Sequence, residues 1–388
     1  MGAGRGTGKR NGQPPLATEQ YSELNATFYS SGGPHEYIRA RLQSIIFTLS
    51  DADEAEAILQ QDLSIGTMQA GGSRRLSQEV RQRYALMEST VLIHHAGEAL
   101  LRLWMAHKDS PSCPWLEVAS LTTPRVFKEE AEKHTSDAGR IPRSTIASVF
   151  LGGNTREDAH VEMTEGQWER SIDGFQELLR LVAHTITSEA TLYNAAKHGL
   201  VGLPGDQADI VYEGKRVAGG GGITFLEKTP DNTKFRSGPH SWWLTTSFTN
   251  LEANLFLIEL TVRAISSLWA VARRRYLGVP GEVVLVSLDE VLTAVAMGPI
   301  ADNRMLSSFS ESLVTYTYES GLQQFGQRVH RPSLIRLGPD VVEAFDRVSG
   351  EHVPMTFVAL PLREQDKRTP STSNRQFFRS SPPGSSSV

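Results

Sequence analysis

The sequence predicts a mainly α protein, a multi-helix bundle with a small β-hairpin insertion and disordered termini. Three observations carry that expectation. Apolar residues recur every three or four positions through three long stretches. Capping residues and glycines bracket those stretches. The chain also lacks the regular strand–helix alternation that a doubly wound sheet requires.

Taken in order, residues 1–20 are rich in Gly, Pro and basic side chains and read as a disordered tail. Helices are expected at 35–49 and 51–61. A long helix follows at 78–107, with Tyr84, Met87, Val91, Leu92, Ala96, Leu100 and Leu103 along one broad apolar face. Thr123 as N-cap with Pro124 at the first helical position predicts a helix over 124–134. Trp168, Ile172, Phe175, Leu179, Val182 and Ile186 form a single stripe, opened by a Thr164/Gln167 capping box. That helix either continues to His198 or breaks near Thr187-Ser188.

Asp209 to Glu213 and Arg216 to Ala218 flank Gly214-Lys215 as a hairpin, with Ile223 to Leu226 as a further strand and Gly219 to Gly222 as a flexible loop. Leu251, Leu255, Ile258, Val262, Ile265 and Trp269 make the third long stripe, with Thr249 and Glu252 as its capping box and Gly278 as its stop. Ser287 with Glu290 opens a helix over 287–297, and residues 353–360 form a short strand. This divides the chain into a helical core domain over 34–300 with its insertion at 208–228, a C-terminal α/β extension over 301–361, and a disordered tail over 362–388.

Composition narrows the function classes. The 388 residues carry a net charge of −5, so any attraction to nucleic acid or a membrane surface must be local. The single cysteine, Cys113, excludes an internal disulfide framework and a cysteine-rich zinc site, as expected in a reducing cytoplasm. No apolar run follows the basic N-terminus, so a secretory signal is not expected. The most apolar stretch, 251–272, contains Glu252, Glu259 and Arg263, which makes it a buried helix and not a membrane span.

Candidate chemistry is then sifted by spacing. Gly2, Gly4, Gly6 and Gly8 before Lys9-Arg10 mimic a phosphate loop without its preceding strand, and Arg10 stands where a magnesium-holding hydroxyl belongs. His94, His95 and Glu98 share a helix, but a carboxylate-bridged metal pair needs a second such helix, and Glu98 has Arg102 four residues on as an ion-pair partner. No metal or other cofactor is expected. Gly-x-Ser-x-Gly is absent, and Cys113 has no neighbouring base.

One segment remains, Leu192-Tyr193-Asn194-Ala195-Ala196-Lys197-His198-Gly199-Leu200. Asn194 and His198 are four apart and share a helix face. A carboxamide, an ammonium and an imidazole so placed can hold a phosphate or a sugar hydroxyl, and His198 can move a proton near neutral pH. The same residues also suit a helix terminus, because Lys197 and His198 in the last turn complement the macrodipole and Gly199 caps it.

Long helices ending in this Asn-x-x-Lys-His-Gly element resemble the helical bundles of the HEPN superfamily, over about residues 78–275. The resemblance implies a metal-independent ribonuclease or nucleotide-binding protein of a defence or toxin system, acting as a homodimer on RNA or nucleotide. That family's nucleases use Arg-x4–6-His, often Arg-Asn-x-x-x-His. Asn194 and His198 match its second and last positions, while Tyr193 replaces the arginine that would stabilise phosphate charge. His198, Asn194 and Lys197 are therefore the candidate catalytic residues. Arg102 and His107, a literal Arg-x4-His match on the 78–107 helix, are the alternative pair. Two other readings stay open: a non-catalytic helical scaffold for protein interaction, and a small-molecule enzyme whose site is assembled from distant residues.

Overall fold

The computed structural model describes residues 16–51, 57–58, 61, 63–70, 76–121, 123–133, 141–199, 201–212, 215–230, 240–296, 300–301, 304–312, 317–319, 322–324, 330–336 and 355–366. The mainly α class holds, with a small antiparallel sheet set against the helices. Helices α1 (Thr18–Ser30) and α2 (Pro34–Leu49) precede a short ribbon, β1 (Leu63–Ile65) and β2 (Met68–Ala70). Then come α3 (Gln78–His107), α4 (Pro114–Ser120), α5 (Pro124–Glu132), α6 (Arg143–Phe150), α7 (Arg156–Ala159), α8 (Glu165–Ser188) and α9 (Ala190–His198). Strands β3 (Gly202–Tyr212), β4 (Lys215–Pro230) and β5 (His240–Phe248) lead to α10 (Leu251–Leu277), β6 (Gly281–Val284) and α11 (Leu288–Ala296). The remaining strands are β7 (Ile300–Ala301), β8 (Arg304–Ser312), β9 (Thr317–Glu319), β10 (Leu322–Gln324), β11 (His330–Arg336) and β12 (Phe357–Leu360).

The expected stripes face one core. Helices α3 and α10 run parallel, tied at one end by Asn254 Nδ2 to Ser89 Oγ (3.2 Å) and past the other by Tyr276 Oη to the Pro111 carbonyl (2.8 Å). Leu92, Ala96, Leu100, Phe175, Leu179, Ile258 and Ile265 are all buried between them and α8. Tyr84, assigned by periodicity to the same face of α3, is exposed instead. Among the described residues α10 is the one helix long and apolar enough to cross a membrane, and the fold buries most of it as the central helix of the bundle. Helix α8 comes so close to the strand leaving β6 that a Cβ on Gly174 would run into the Val286 carbonyl oxygen. Only glycine fits that crossing.

Caps explain the boundaries. Thr164 and Gln167 make the expected box, as do Ser287 and Glu290, and Thr123 caps α5. At α10 the cap is Asn250 and not Thr249: its Oδ1 accepts from the amides of Glu252 and Ala253 at 2.8 and 3.2 Å. Asparagine reaches two open amides of the first turn, so the boundary moves by one residue. Of the helix expected over 51–61, all but 51, 57, 58 and 61 lies outside the described residues.

The sheet is larger than a hairpin. Its order is β11-β8-β5-β4-β3, antiparallel throughout, with β7 paired to β8. Gly219 to Gly222, expected to be a loop, lie inside the continuous strand β4, where Gly222 opposes Gly205 and Gly219 opposes Asp209. The lack of side chains removes any steric bar to pairing, so glycine here does not mark a turn. Ile223 and Phe225 on the inner face pack on Leu86, Met87, Leu192, Ala195 and Ala196.

The assigned tails also shrink. Helix α1 begins at Thr18, and its Tyr29 is wholly buried. At the other end Arg363 and Asp366 are buried beside Arg274 of α10. Arg274 donates to the carbonyls of Ala159 (2.7 Å), Gly152 (2.6 Å) and Pro361 (3.1 Å), and its Nε lies 3.4 Å from Asp366 Oδ2. Arg363 meets the same carboxylate oxygen at 2.8 Å. Composition marks this stretch as a tail because it is polar. It docks through charge, not apolar area.

Candidate functional site

Helix α8 stops at Ser188, and α9 restarts after Glu189, whose φ of −105° and ψ of 18° break the helical path. The break anticipated near Thr187-Ser188 is therefore real. Helix α9 then buries Leu192, Ala195 and Ala196 against the sheet. Gly199 ends it in the left-handed region at φ 64°, a conformation costly for a residue with a Cβ. With one face committed to packing, Asn194, Lys197 and His198 stand exposed on the other side of α9. Among the described residues the side chains of Asn194 and His198 make no hydrogen bond, while the Lys197 ammonium lies 5.5 Å from the centre of the Tyr193 ring.

Tyr193 is where the chemistry concentrates. Its ring stacks on His94 of α3 (4.7 Å between centroids, 21° between planes), and its oxygen lies 3.0 Å from His95 Nε2. On the far side of that imidazole, Arg41 of α2 sits 2.8 Å from Nδ1. A guanidinium can only donate, so Nδ1 accepts and the His95 proton resides on Nε2, which donates to the Tyr193 oxygen. The phenolic proton is then left to point elsewhere. Glu88 accepts from Arg41 at 3.3 Å. Burial, with the charges of Arg41 and Lys197 adding to it and Glu98 opposing, holds the His95 pKa below its ordinary 6.5. Burial, reinforced by His95, drives that of His94 down to about 4. Both rings are neutral near pH 7. The result is a half-buried relay, Arg41 to His95 to Tyr193, ending beside Lys197 and the exposed Asn194 and His198. An anion docking here would meet the Lys197 ammonium.

The alternative pair separates. His107 is fully enclosed: its Nδ1 lies 2.6 Å from the Leu103 carbonyl, its Nε2 lies 2.6 Å from the Tyr29 hydroxyl, and burial pushes its pKa down to about 4. Arg102 points away, pairing with Glu98 (2.7 Å), donating to the Leu121 carbonyl and lying 4.4 Å over the Phe127 ring. Five residues along a helix span about 500°, so the two side chains leave on different faces. Both are engaged by their own surroundings.

Spacing on α9 finds Asn194, Lys197 and His198 but misses Arg41, which arrives from α2, 54 positions before its partner His95. The adjacent His94-His95 pair is the sequence signal for this site, though one that reads first as a failed metal pair. Among the described residues no cluster of three His, Cys, Asp or Glu is placed to hold a metal ion. The chain matches no protein-family model, no curated protein and no solved structure.

Proposed function

We propose that the α3–α9 face binds the phosphates of RNA or a nucleotide, with Lys197 and the Tyr193 hydroxyl as the anion-facing groups, Arg41 behind them through His95, and Asn194 and His198 at their edge. The observation that carries this reading is the donor chain from Arg41 through His95 to Tyr193, because it turns a phenol into an oriented donor beside an ammonium. It also offers an answer to the arginine missing at 193. The cation comes from α2 and acts through His95. In a cleaving form, the RNA 2′-hydroxyl would attack the neighbouring phosphorus as His198 takes its proton, the 5′ oxygen would leave as an alcohol with a proton from water, and Lys197 would offset the phosphorane charge. Family resemblance adds a defence or toxin setting, a homodimer and a cytoplasmic site of action.

Fluorescence anisotropy with a labelled single-stranded RNA, at fixed low salt, tests the binding. Lys197→Ala and Arg41→Ala should each weaken it several-fold and lower its salt dependence. A gel assay in chelator then separates cleavage from binding, with His198→Ala losing the first and keeping most of the second. RNA affinity untouched by either cation overturns the proposal.

A scaffold role has one observation in its favour. The outer face of the sheet exposes Leu203 (69 %), Leu226, Trp242 and Leu244, apolar side chains that water would rather see covered. Co-purification of a partner lost on Trp242→Ser, with no RNA affinity, would favour that reading.

A further inference from the structure

The break between α8 and α9 opens a second feature, remote in purpose from the exposed cluster. A cavity of about 120 Å³ lies where the end of α8 and the start of α9 splay apart over α3, α10 and the chain leaving β5. Ile93, Leu181, Leu192 and Leu257 give it apolar walls, Thr185 and Glu189, one helical turn apart, line one side with polar groups, and Ser247, Thr249, Asn250 and Asn254 line the other.

Asn250 and Asn254 are spent on the α10 cap and on Ser89 of α3, whereas Thr185 and Glu189 are not used in this way. Several hydroxyls in these helices bond back to a carbonyl four residues earlier, among them Thr187 to Ala183, Ser188 to His184 and Thr261 to Leu257. Thr185 does not, and among the described residues its hydroxyl makes no hydrogen bond. Glu189 occupies the N-cap position of α9, where a carboxylate usually accepts from open amides, yet it makes no capping bond and no ion pair among the described residues. Glu189 is half-buried, and desolvation by the walls around it raises its pKa to about 7. Glu189 is the one titratable group among the lining residues. None of the other titratable groups on the walls' own elements lines the cavity, among them His94 and His95 on α3, Arg180 and His184 on α8, Tyr193 on α9, Glu252 on α10, and Asp289 and Glu290 on α11.

We propose that this cavity is a binding site for a small aliphatic ammonium ion, its charged head on the Glu189 carboxylate and the Thr185 hydroxyl and its alkyl chain against the leucine and isoleucine walls. Volume sets the size. The cavity is partly open to solvent, and by comparison with the roughly 150 Å³ of an enclosed site that takes benzene, 120 Å³ suits about four to six heavy atoms. Charge sets the class, since a neutral alcohol would leave the carboxylate uncompensated and an anion would be repelled. A metal ion would lack ligands, as described above.

The test is calorimetric titration of the full chain with n-butylammonium chloride, beside 1-butanol and sodium butyrate, from pH 6 to pH 8. The ammonium stays charged throughout. Binding should therefore strengthen roughly tenfold over that range as a carboxyl of pKa near 7 ionises. Glu189→Gln should abolish the pH dependence and most of the affinity. Ala294→Leu, which adds bulk to a buried wall residue while leaving the carboxylate alone, should abolish binding by filling the space. Circular dichroism checks that both variants fold, and either one alone is decisive. Butanol or butyrate binding as well as the ammonium, an affinity flat with pH, an unaffected Glu189→Gln, or no heat at millimolar ligand would each overturn the assignment. RNA binding is read separately and stands or falls without it.

Discussion

The C-terminal ends of α3 and α10 and the α3–α9 face treat charge in opposite ways. At the first, Arg274 is 1 % exposed and bound to three carbonyls and a carboxylate, and His107 is locked between Leu103 and Tyr29. At the second, Lys197 and His198 face water, and Arg41 reaches Tyr193 only through an imidazole. A charge enclosed among carbonyls and a carboxylate, as Arg274 is, serves the fold, and its removal takes a donor from them in a dry interior. A charge left at the surface serves little structurally and is available for a ligand. Location and partnering, not residue type, separate the two roles.

The sharpest way to break that contrast is to remove one cation from each region. Arg274→Met should cost about 3 kcal/mol in urea unfolding, because the Ala159 and Pro361 carbonyls lose their donor while Asp366 and the Gly152 carbonyl keep only Arg363. Lys197→Met should stay within about 0.5 kcal/mol. Equal losses would mean that α9 is part of the structural framework after all.

Acid comes next. His107 and His94 have folded pKa values of about 4 against an ordinary 6.5, so between those limits the unfolded chain binds more protons than the native one. Stability is therefore intact above pH 6.5 and lost as pH falls toward 4, by on the order of 3 kcal/mol for each ring. Glu189 runs the other way, since its raised pKa makes the native state hold a proton that the unfolded chain releases between its ordinary 4.5 and about 7. Melting temperature against pH should show a steep acid limb, and His94→Phe should make it shallower.

Smaller effects sharpen the comparison. Tyr193→Phe strips His95 of its acceptor and should cost about 0.5–1.5 kcal/mol by thermal melting, while lowering RNA affinity by more than that stability loss explains. His198→Ala should shift stability by no more than about 1 kcal/mol, the scale of a charge at a helix end. A larger loss would place the ring in the framework.

Much of the helical architecture was legible because it rests on local signals. Stripe periodicity and side-chain caps placed α3 over residues 78–107 and α11 within a residue at each end. What escaped depends on long-range partners. Gly219 to Gly222 look like a loop until a neighbouring strand supplies their hydrogen bonds, and Arg363 and Asp366 look like tail until Arg274 meets them. The same division runs through the candidate site. Asn194, Lys197 and His198 share one helix and could be read together, whereas Arg41 joins His95 from another element, and nothing in a 3.6-residue period announces it.

Arg274 and Asp366 also set a timetable. About 90 residues separate them, so during synthesis at roughly 5–20 residues per second the arginine is translated several seconds before the carboxylate that meets it. Through that interval α10 can form, but its C-terminal turn holds a cation with no acid to meet. The bundle can be sealed at that end only after the chain has been made as far as Asp366, and a nascent chain halted in between would carry an open flank for chaperones or proteases to find.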